Sequence, residues 1–171
     1  AALGLPQGVT VCAGAGDNAA AAVGTGTVST GAAHADSRCN ISLGTSGTIF
    51  ISSEKFGVDA TNGLHAFAHA DGGWHLMGCM LSAASCNKWW QDAIIGTNDY
   101  KGEEAKIAPE MLGRNHVYFL PYLMGERSPI NDTNARAMFV GMTMDTARAD
   151  MTQAMLEGVA FAIRDSFEVA K

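Results

Sequence analysis

The sequence predicts a mixed α/β domain built on a curved sheet. Three observations lead to this prediction: strand-like runs flank glycine turns in the first half, helical patterns follow them, and one further strand-like run lies between helices. A sheet covered by helices is the arrangement that buries the apolar faces of both kinds of element. The 171 residues are 47% hydrophobic, which is enough to fill a sizeable core and argues against disorder.

The first predicted element is a strand that runs into a glycine turn and then a helix. The β-branched run Val9–Val11 predicts the strand. Residues 18–23 are rich in alanine and favour a helix, which ends at Gly24. We therefore expect the carboxylate of Asp17 near a helix N-terminus, on the rim of the sheet.

Two β-hairpins are predicted next. The first joins residues 41–43 and 48–52 through a Gly-Thr-Ser-Gly turn at 44–47. The second joins residues 64–70 and 74–77 through Asp-Gly-Gly, a strong turn signal. Together these segments supply the strands of the expected sheet.

The second half of the chain is predicted to be mainly helical. Its elements are a helix over 82–95, a short helical turn within 106–113 and a buried strand over 117–120. A charged irregular loop that includes residues 125–132 is too long for a passive connection and suggests a function. A final helix is expected with Thr146 as its N-cap. Its predicted apolar face consists of Met151, Met155, Val159, Ile163 and Phe167.

Charge and composition exclude several classes of function. The net charge of −6 and the absence of a basic run argue against nucleic-acid or anionic-membrane surfaces. No segment approaches the ~20 apolar residues of a membrane-spanning helix, and the N-terminus does not resemble a signal peptide. We therefore expect a cytoplasmic protein. The chain begins without methionine and stops inside a predicted helix, as expected of a fragment.

Cysteine and histidine spacing predicts no metal site. The cysteines form no CxxC pair, and the histidines form no HExxH motif, so neither set is assigned a role. These residues are Cys12, Cys39, Cys79, Cys86, His34, His65, His69, His75 and His116.

The first candidate for chemistry is Asp17. Small residues surround it, so its carboxylate is open to a ligand and is a candidate general base. The alternative is that Asp17 only caps the helix, and local sequence gives the two interpretations about equal weight. The neighbouring Asn18 suits a polyol substrate and equally suits a turn.

The second candidate is the turn that consists of Gly44, Thr45, Ser46 and Gly47. It offers backbone N–H groups and two hydroxyls, which can hold phosphate oxygens without a cationic side chain. It is neither a Walker A loop nor a nucleophile elbow. An ordinary hairpin turn is the alternative. For Glu126 and Arg127, an ion pair that shapes their loop is at least as plausible as ligand contact.

Taken together, these segments resemble the FGGY family of carbohydrate kinases. Residues 14–18 are similar to the family's catalytic aspartate motif, and residues 42–47 are similar to its phosphate-binding hairpin. The most specific match is Ala137–Glu157, which resembles the family's second signature. Residues 82–90 and 125–129 resemble xylulokinases within the family, although gluconokinase-like members share the second of these segments.

The resemblance implies an actin-like, ribonuclease-H-like ATPase fold, with residues 1–171 forming part of the C-terminal domain. It also implies ATP and Mg²⁺ as cofactors, Asp17 as catalytic base, and Asp17 and Asn18 as sugar contacts. The Gly44–Gly47 turn would then bind the phosphates of ATP, and the substrate would be a sugar, most specifically D-xylulose.

The other expected partner is the N-terminal sugar-binding domain of the same parent protein. This domain and the final adenine-binding segment are expected to lie outside the 171 residues. A homodimer is kept as a further expectation. The alternatives are another sugar kinase such as a gluconokinase, or an actin- or chaperone-type ATPase domain. The isolated chain is expected to be a folded but inactive module.

Overall fold

The computed structural model describes residues 4–29, 38–61 and 63–171. Four α-helices and six strands lie within these residues, with four consecutive strands between the first two α-helices, so the predicted mixed α/β class is confirmed. The strands are β1 (Cys39–Leu43), β2 (Gly47–Ser53), β3 (His65–Ala68), β4 (Trp74–Met80), β5 (Tyr118–Leu120) and β6 (Met138–Val140). The α-helices are α1 (Asp17–Gly24), α2 (Ala84–Lys88), α3 (Tyr100–Glu104) and α4 (Arg148–Val169).

The main sheet is built from the two predicted hairpins. Its strand order is β1-β2-β4-β3, and all three pairings are antiparallel. Leu43 lies opposite Gly47 at the end of the first hairpin, and Gly47 also lies opposite Met80 of β4. The end of β4 is therefore beside the Gly44–Gly47 turn. A second, two-stranded sheet pairs β5 with β6.

The predicted strand at Val9–Val11 is wrong. The described residues 4–16 contain no strand, and the side chains of Val9 and Val11 are 48% and 87% exposed. A strand needs a neighbouring backbone to pair with its N–H and C=O groups, and a β-branched composition does not supply one. The helix that follows is confirmed, because α1 begins at Asp17 and ends at Gly24.

The helical segment predicted over 82–95 forms in two parts. Helix α2 continues directly into a π-helical segment, Trp89–Ile94, which buries Trp90 and Gln91. The short turn predicted within 106–113 is present as a 3₁₀ turn at Pro109–Met111. Helix α3 was not predicted. The Asp99 side chain caps α3 by accepting a hydrogen bond from the Gly102 amide at 3.0 Å.

Helix α4 is present, but its predicted cap at Thr146 is wrong. The N-cap is Ala147, and the Asp150 carboxylate reaches back to accept a hydrogen bond from the Ala147 amide at 2.8 Å. The Thr146 hydroxyl instead accepts a hydrogen bond from the Thr143 amide at 2.8 Å. Asp150 thus satisfies one of the backbone groups that a helix start leaves unpaired.

The buried face of α4 is offset from the predicted apolar face. Met155 is fully buried as predicted, whereas the other four predicted residues are only partly buried. The buried set includes small residues because α4 packs closely on β5: a Cβ at Gly158 would lie 2.2 Å from the Phe119 carbonyl oxygen. The buried residues are Thr152, Gln153, Ala154, Met155, Gly158, Ala162 and Ser166.

Two apolar clusters support this arrangement. The larger one joins α2, the π-helical segment, β5 and α4, and the smaller one packs Ala19 and Ala22 of α1 against Phe50 of β2. The larger cluster consists of Cys86, Trp90, Val117, Phe119, Ala154 and Met155. Within the described residues, no helix combines the length and the apolar character needed to cross a membrane.

Candidate active site

Helix α1 presents Asp17 and Asn18 at its first turn. Gly16 is the N-cap with extended backbone, and Asp17 is the first helical residue, exposed to solvent. Its Oδ1 accepts a hydrogen bond from the Asn18 amide at 2.8 Å and lies 3.3 Å from Asn18 Nδ2. Within the described residues its Oδ2 makes no hydrogen bond, so one oxygen stays open to a ligand while the other pairs with the helix start.

The Gly44–Gly47 turn is held from one side by the start of α2. The amides of Ala83 and Ala84 donate to the carbonyl oxygens of Thr45 and Gly44 at 3.0 and 2.9 Å. The hydroxyl of Ser85 donates to the Thr45 oxygen at 2.8 Å. These contacts fix the carbonyl groups of the turn towards α2. The side chains of Thr45 and Ser46 remain exposed.

The two glycines of the turn do not both serve as open donors. The Gly44 amide donates to the Ser46 oxygen at 3.0 Å, so it is not free, in contrast to the predicted row of open N–H groups. In the described part of the chain, the amides of Thr45 and Ser46 donate to no other backbone oxygen. Gly47 is required by packing, since a Cβ there would lie 2.8 Å from the Met80 side chain. Among the described residues, the amides of Thr45 and Ser46 are therefore the ones in the turn that remain open to a ligand.

One hydrogen bond joins the two predicted segments. The Thr48 hydroxyl, one residue beyond the turn, donates to Asn18 Oδ1 at 3.3 Å. Beneath this bond Ala19 and Ala22 pack on Phe50. The structure thus brings the start of α1 and the turn to the same side of the sheet. Thr48 is not among the sequence-predicted site residues, because a single threonine in a strand gives no signal for such a contact.

The Gly125–Asp132 loop contributes buried groups instead of an exposed ion pair. Glu126 is 1% exposed, and its Oε1 accepts hydrogen bonds from the amides of Leu81 and Arg127 at 2.9 and 2.7 Å. Among the described residues Arg127 forms no ion pair with it, so the predicted ion pair is not formed. Burial raises the pKa of Glu126, and its two backbone hydrogen bonds oppose this change.

No metal site is built from this chain's side chains as far as the described residues extend. They contain no group of three or more His, Cys, Asp or Glu residues arranged to hold a metal ion. His69 and His75 are buried around Phe50 in the main sheet, whereas His34 lies outside the described residues. A divalent cation at this site would depend mainly on oxygens from a ligand and water, as Mg²⁺ bound to nucleotides commonly does.

Comparison with known proteins identifies the same kinds of relative in sequence and in structure. The profile of the FGGY family of carbohydrate kinases, C-terminal domain, matches residues 39–171. Xylulose kinase of Klebsiella pneumoniae is 43% identical over 162 residues, which cover 93% of this chain and 32% of that protein. Xylulose kinase of Escherichia coli is 41% identical over 162 residues, which cover 94% of this chain and 32% of that protein.

Solved structures give a parallel result. A Brucella ovis protein described as a xyloylose kinase superposes with a TM-score of 0.81 at 41% identity, covering 92% of this chain and 31% of that chain. Gluconate kinase of Lactobacillus acidophilus superposes with a TM-score of 0.68 at 26% identity, and the match covers 77% of this chain and 27% of that chain. The chain thus spans about a third of the length of the curated relatives it matches.

Proposed function

Because the chain belongs to the FGGY family of carbohydrate kinases, we propose that the whole protein transfers the γ-phosphoryl group of ATP to a hydroxyl of D-xylulose. The observation that supports this proposal is the Thr48–Asn18 hydrogen bond, which links the first turn of α1, where Asp17 lies, to the residue that follows the Gly44–Gly47 turn. In this proposal residues 1–171 are part of an actin-like, ribonuclease-H-like C-terminal domain. The N-terminal domain and a later adenine-binding segment of the same protein complete the site.

The open oxygen of Asp17 is the proposed general base. It accepts the proton of the sugar hydroxyl while that oxygen forms a bond to the γ-phosphorus, and the bond from the γ-phosphorus to the bridging oxygen of ADP breaks. Asn18 is held by Thr48 and orients the polyol through its amide. Because both side chains project from the start of α1 and Asn18 is bonded to Thr48, less reorganisation is needed to reach the reactive geometry.

The Gly44–Gly47 turn is the proposed phosphate contact. The amides and hydroxyls of Thr45 and Ser46 can donate to phosphate oxygens, and the contacts with α2 prevent the turn from moving. Mg²⁺ bound together with ATP would supply positive charge against the charge that develops during transfer. No residue of this chain is assigned as its ligand.

For the acceptor sugar, one specific alternative to D-xylulose has support. Xylulose kinases support D-xylulose, and the structural match to a gluconate kinase supports gluconate as the second candidate. The test is ADP release by the full-length protein with D-xylulose, with gluconate and without acceptor. We expect turnover with D-xylulose that exceeds the other two conditions. Equal turnover without acceptor would instead indicate an ATPase of the actin or chaperone type.

The role of Asp17 is tested in the same assay. Asp17→Asn should lower kcat by about a thousandfold or more, because the group that accepts the proton is lost. Asp17 is exposed, so the melting temperature should change little. Asp145→Asn, an equally exposed aspartate outside the site, is the matched control and should retain wild-type turnover. Wild-type activity in the Asp17 variant would remove it from this role.

The isolated 171-residue chain provides a separate check on how much of the site it holds. It carries only one wall of the proposed site, so we expect weak or no ATP binding by calorimetry. Sub-millimolar affinity would show that the missing segments are not needed for the nucleotide.

A further inference from the structure

Glu126 lies inside the protein at the end of β4. Two hydrogen bonds join the loop that carries Glu126 to the end of that strand. The Leu81 amide donates to Glu126 Oε1 at 2.9 Å, and the Ser128 amide donates to the Cys79 oxygen at 3.1 Å. A further bond from the Arg127 amide reaches the same Glu126 oxygen at 2.7 Å. The carboxylate therefore ties the loop and the end of the strand together.

The same strand end leads directly into the contacts that hold the Gly44–Gly47 turn. Two residues after Leu81, the amide of Ala83 donates to the Thr45 oxygen at 3.0 Å. The amide of Ala84 then donates to the Gly44 oxygen at 2.9 Å. Only Ser82 separates the residue that Glu126 binds from the residues that bind the turn, and Ser82 is fully buried. A displacement of Leu81 would thus be passed on to the turn.

Glu126 is an expensive way to satisfy these amides. A buried carboxylate loses its hydration, and a neutral side chain could accept the same two hydrogen bonds at lower cost. Within the described residues, its Oε2 has no hydrogen-bond partner, and the same holds for the buried hydroxyls of Ser82 and Ser128. The hydrogen bonds that the Glu126 side chain does make in the described residues are those from the Leu81 and Arg127 amides, so its structural effect is concentrated at the strand end and the loop.

We propose that Glu126 is a positioning residue for the phosphate-binding turn. It holds the Leu81 amide, this fixes residues 81–84, and the amides of Ala83 and Ala84 fix the carbonyls of Thr45 and Gly44. Thr45 and Ser46 are thereby kept facing the phosphate. This inference rests on the proposed function, because it assigns Glu126 to the ATP side of that site.

The test uses the full-length protein with Glu126→Ala and Glu126→Gln. The alanine variant frees the Leu81 amide, and we expect the KM for ATP to rise about tenfold while the KM for the sugar stays within about twofold. The glutamine variant keeps an oxygen that can accept the same two hydrogen bonds, so it should recover most of the ATP affinity. A merely structural role would not separate the two KM values in this way.

Glu103→Ala is the matched control. Glu103 is also buried, at 5% exposure, and binds Lys106 and Arg148 at 2.6 and 2.5 Å, so its loss should lower stability through contacts between α3 and α4. Among the described residues, no hydrogen bond or ion pair joins it to residues 81–84 or to the turn. We expect an unchanged KM for ATP in this variant. An equal rise in both alanine variants would overturn the proposal.

Amide hydrogen exchange separates this proposal from the proposed function. Exchange should accelerate in Glu126→Ala and not in Glu103→Ala at the amides of Gly44, Ala83 and Ala84, which are hydrogen-bonded at the turn, whether or not the protein phosphorylates D-xylulose. Unchanged exchange at the turn would overturn the positioning role. If Glu126→Ala does not fold, Ser85→Ala removes a different contact with the Thr45 oxygen and should raise the KM for ATP several-fold. A wild-type KM for ATP in a folded Glu126→Gln variant would support the role. A wild-type KM for ATP in Ser85→Ala would contradict it.

Discussion

Two regions carry the resemblance to the kinase family, and they differ in what they bury. The first, the start of α1 with the Gly44–Gly47 turn, presents exposed polar groups above a small cluster of Ala19, Ala22 and Phe50. The second, Ala137–Glu157, docks β6 and α4 against β5. The more specific motif thus supplies packing, and the weaker motifs supply the proposed chemistry. A segment that identifies the family need not be the segment that acts on substrate.

The first prediction compares glycines in the two regions. Gly158→Ala should lower the free energy of unfolding by about 3 kcal/mol, because a Cβ there would lie 2.2 Å from the Phe119 carbonyl oxygen and α4 would have to move away. Urea unfolding of the 171-residue chain measures the change.

Gly14→Ala is the control near Asp17, where an added Cβ has nothing within 4 Å. It should leave stability unchanged or raise it by up to about 1 kcal/mol, because alanine restricts the unfolded chain. Similar losses in both variants would contradict the distinction between a packed and an open region.

The second prediction concerns acid sensitivity beneath the open region. His75 stacks on Phe50 with ring centroids 3.9 Å apart, and Phe50 also supports α1. Burial lowers the pKa of His75 from 6.5 to about 4, with a further decrease from the charge of His69 and an opposing effect of Asp71. The unfolded chain therefore binds more protons between these values, and stability must fall as the pH is lowered from 6.5 to about 4.

The expected loss over that range is about 3 kcal/mol, measured by urea unfolding at several pH values. His75→Gln removes the titrating group, so its unfolding free energy should depend less steeply on pH than that of the wild type. A wild-type slope in His75→Gln would show that another group causes the acid sensitivity.

The comparison also shows which features the sequence could predict. Both hairpins and the helix start at Asp17 follow from local signals, namely glycine turns and an alanine-rich run. The buried face of α4 does not, because the close approach of Gly158 to β5 depends on a partner distant in sequence. The burial of Glu126 is another non-local result, since its loop folds against the end of β4.

The wrong strand prediction and the missed helix α3 also have physical causes. Val9–Val11 has strand-forming residues without a strand to pair with in the described part of the chain. Helix α3 is only five residues long and includes Gly102, so neither periodicity nor propensity reveals it. The assignment of roles to Asp17, Asn18 and the Gly44–Gly47 turn remains a prediction for the assays described above.

The third prediction removes one hydroxyl from the packed region. Trp90 Nε1 donates to the Thr152 hydroxyl at 2.9 Å, and both side chains are buried. Thr152→Val keeps the shape of the side chain and leaves the indole N–H without its acceptor. The free energy of unfolding should fall by about 2 kcal/mol, which thermal or urea unfolding can measure. A loss below about 0.5 kcal/mol would show that the indole finds another acceptor.

The same substitution in the open region, Thr48→Val, should have the smallest effect on stability. Its hydroxyl contacts Asn18 Oδ1 at 3.3 Å, a long hydrogen bond at a half-buried position, so the loss should stay within about 0.5 kcal/mol. Its effect on turnover should be larger, because Asn18 loses the contact that orients it. We expect kcat of the full-length protein to fall several-fold. Unchanged kcat together with reduced stability would show that Thr48 serves packing. The Thr48–Asn18 hydrogen bond would then no longer support the proposed site.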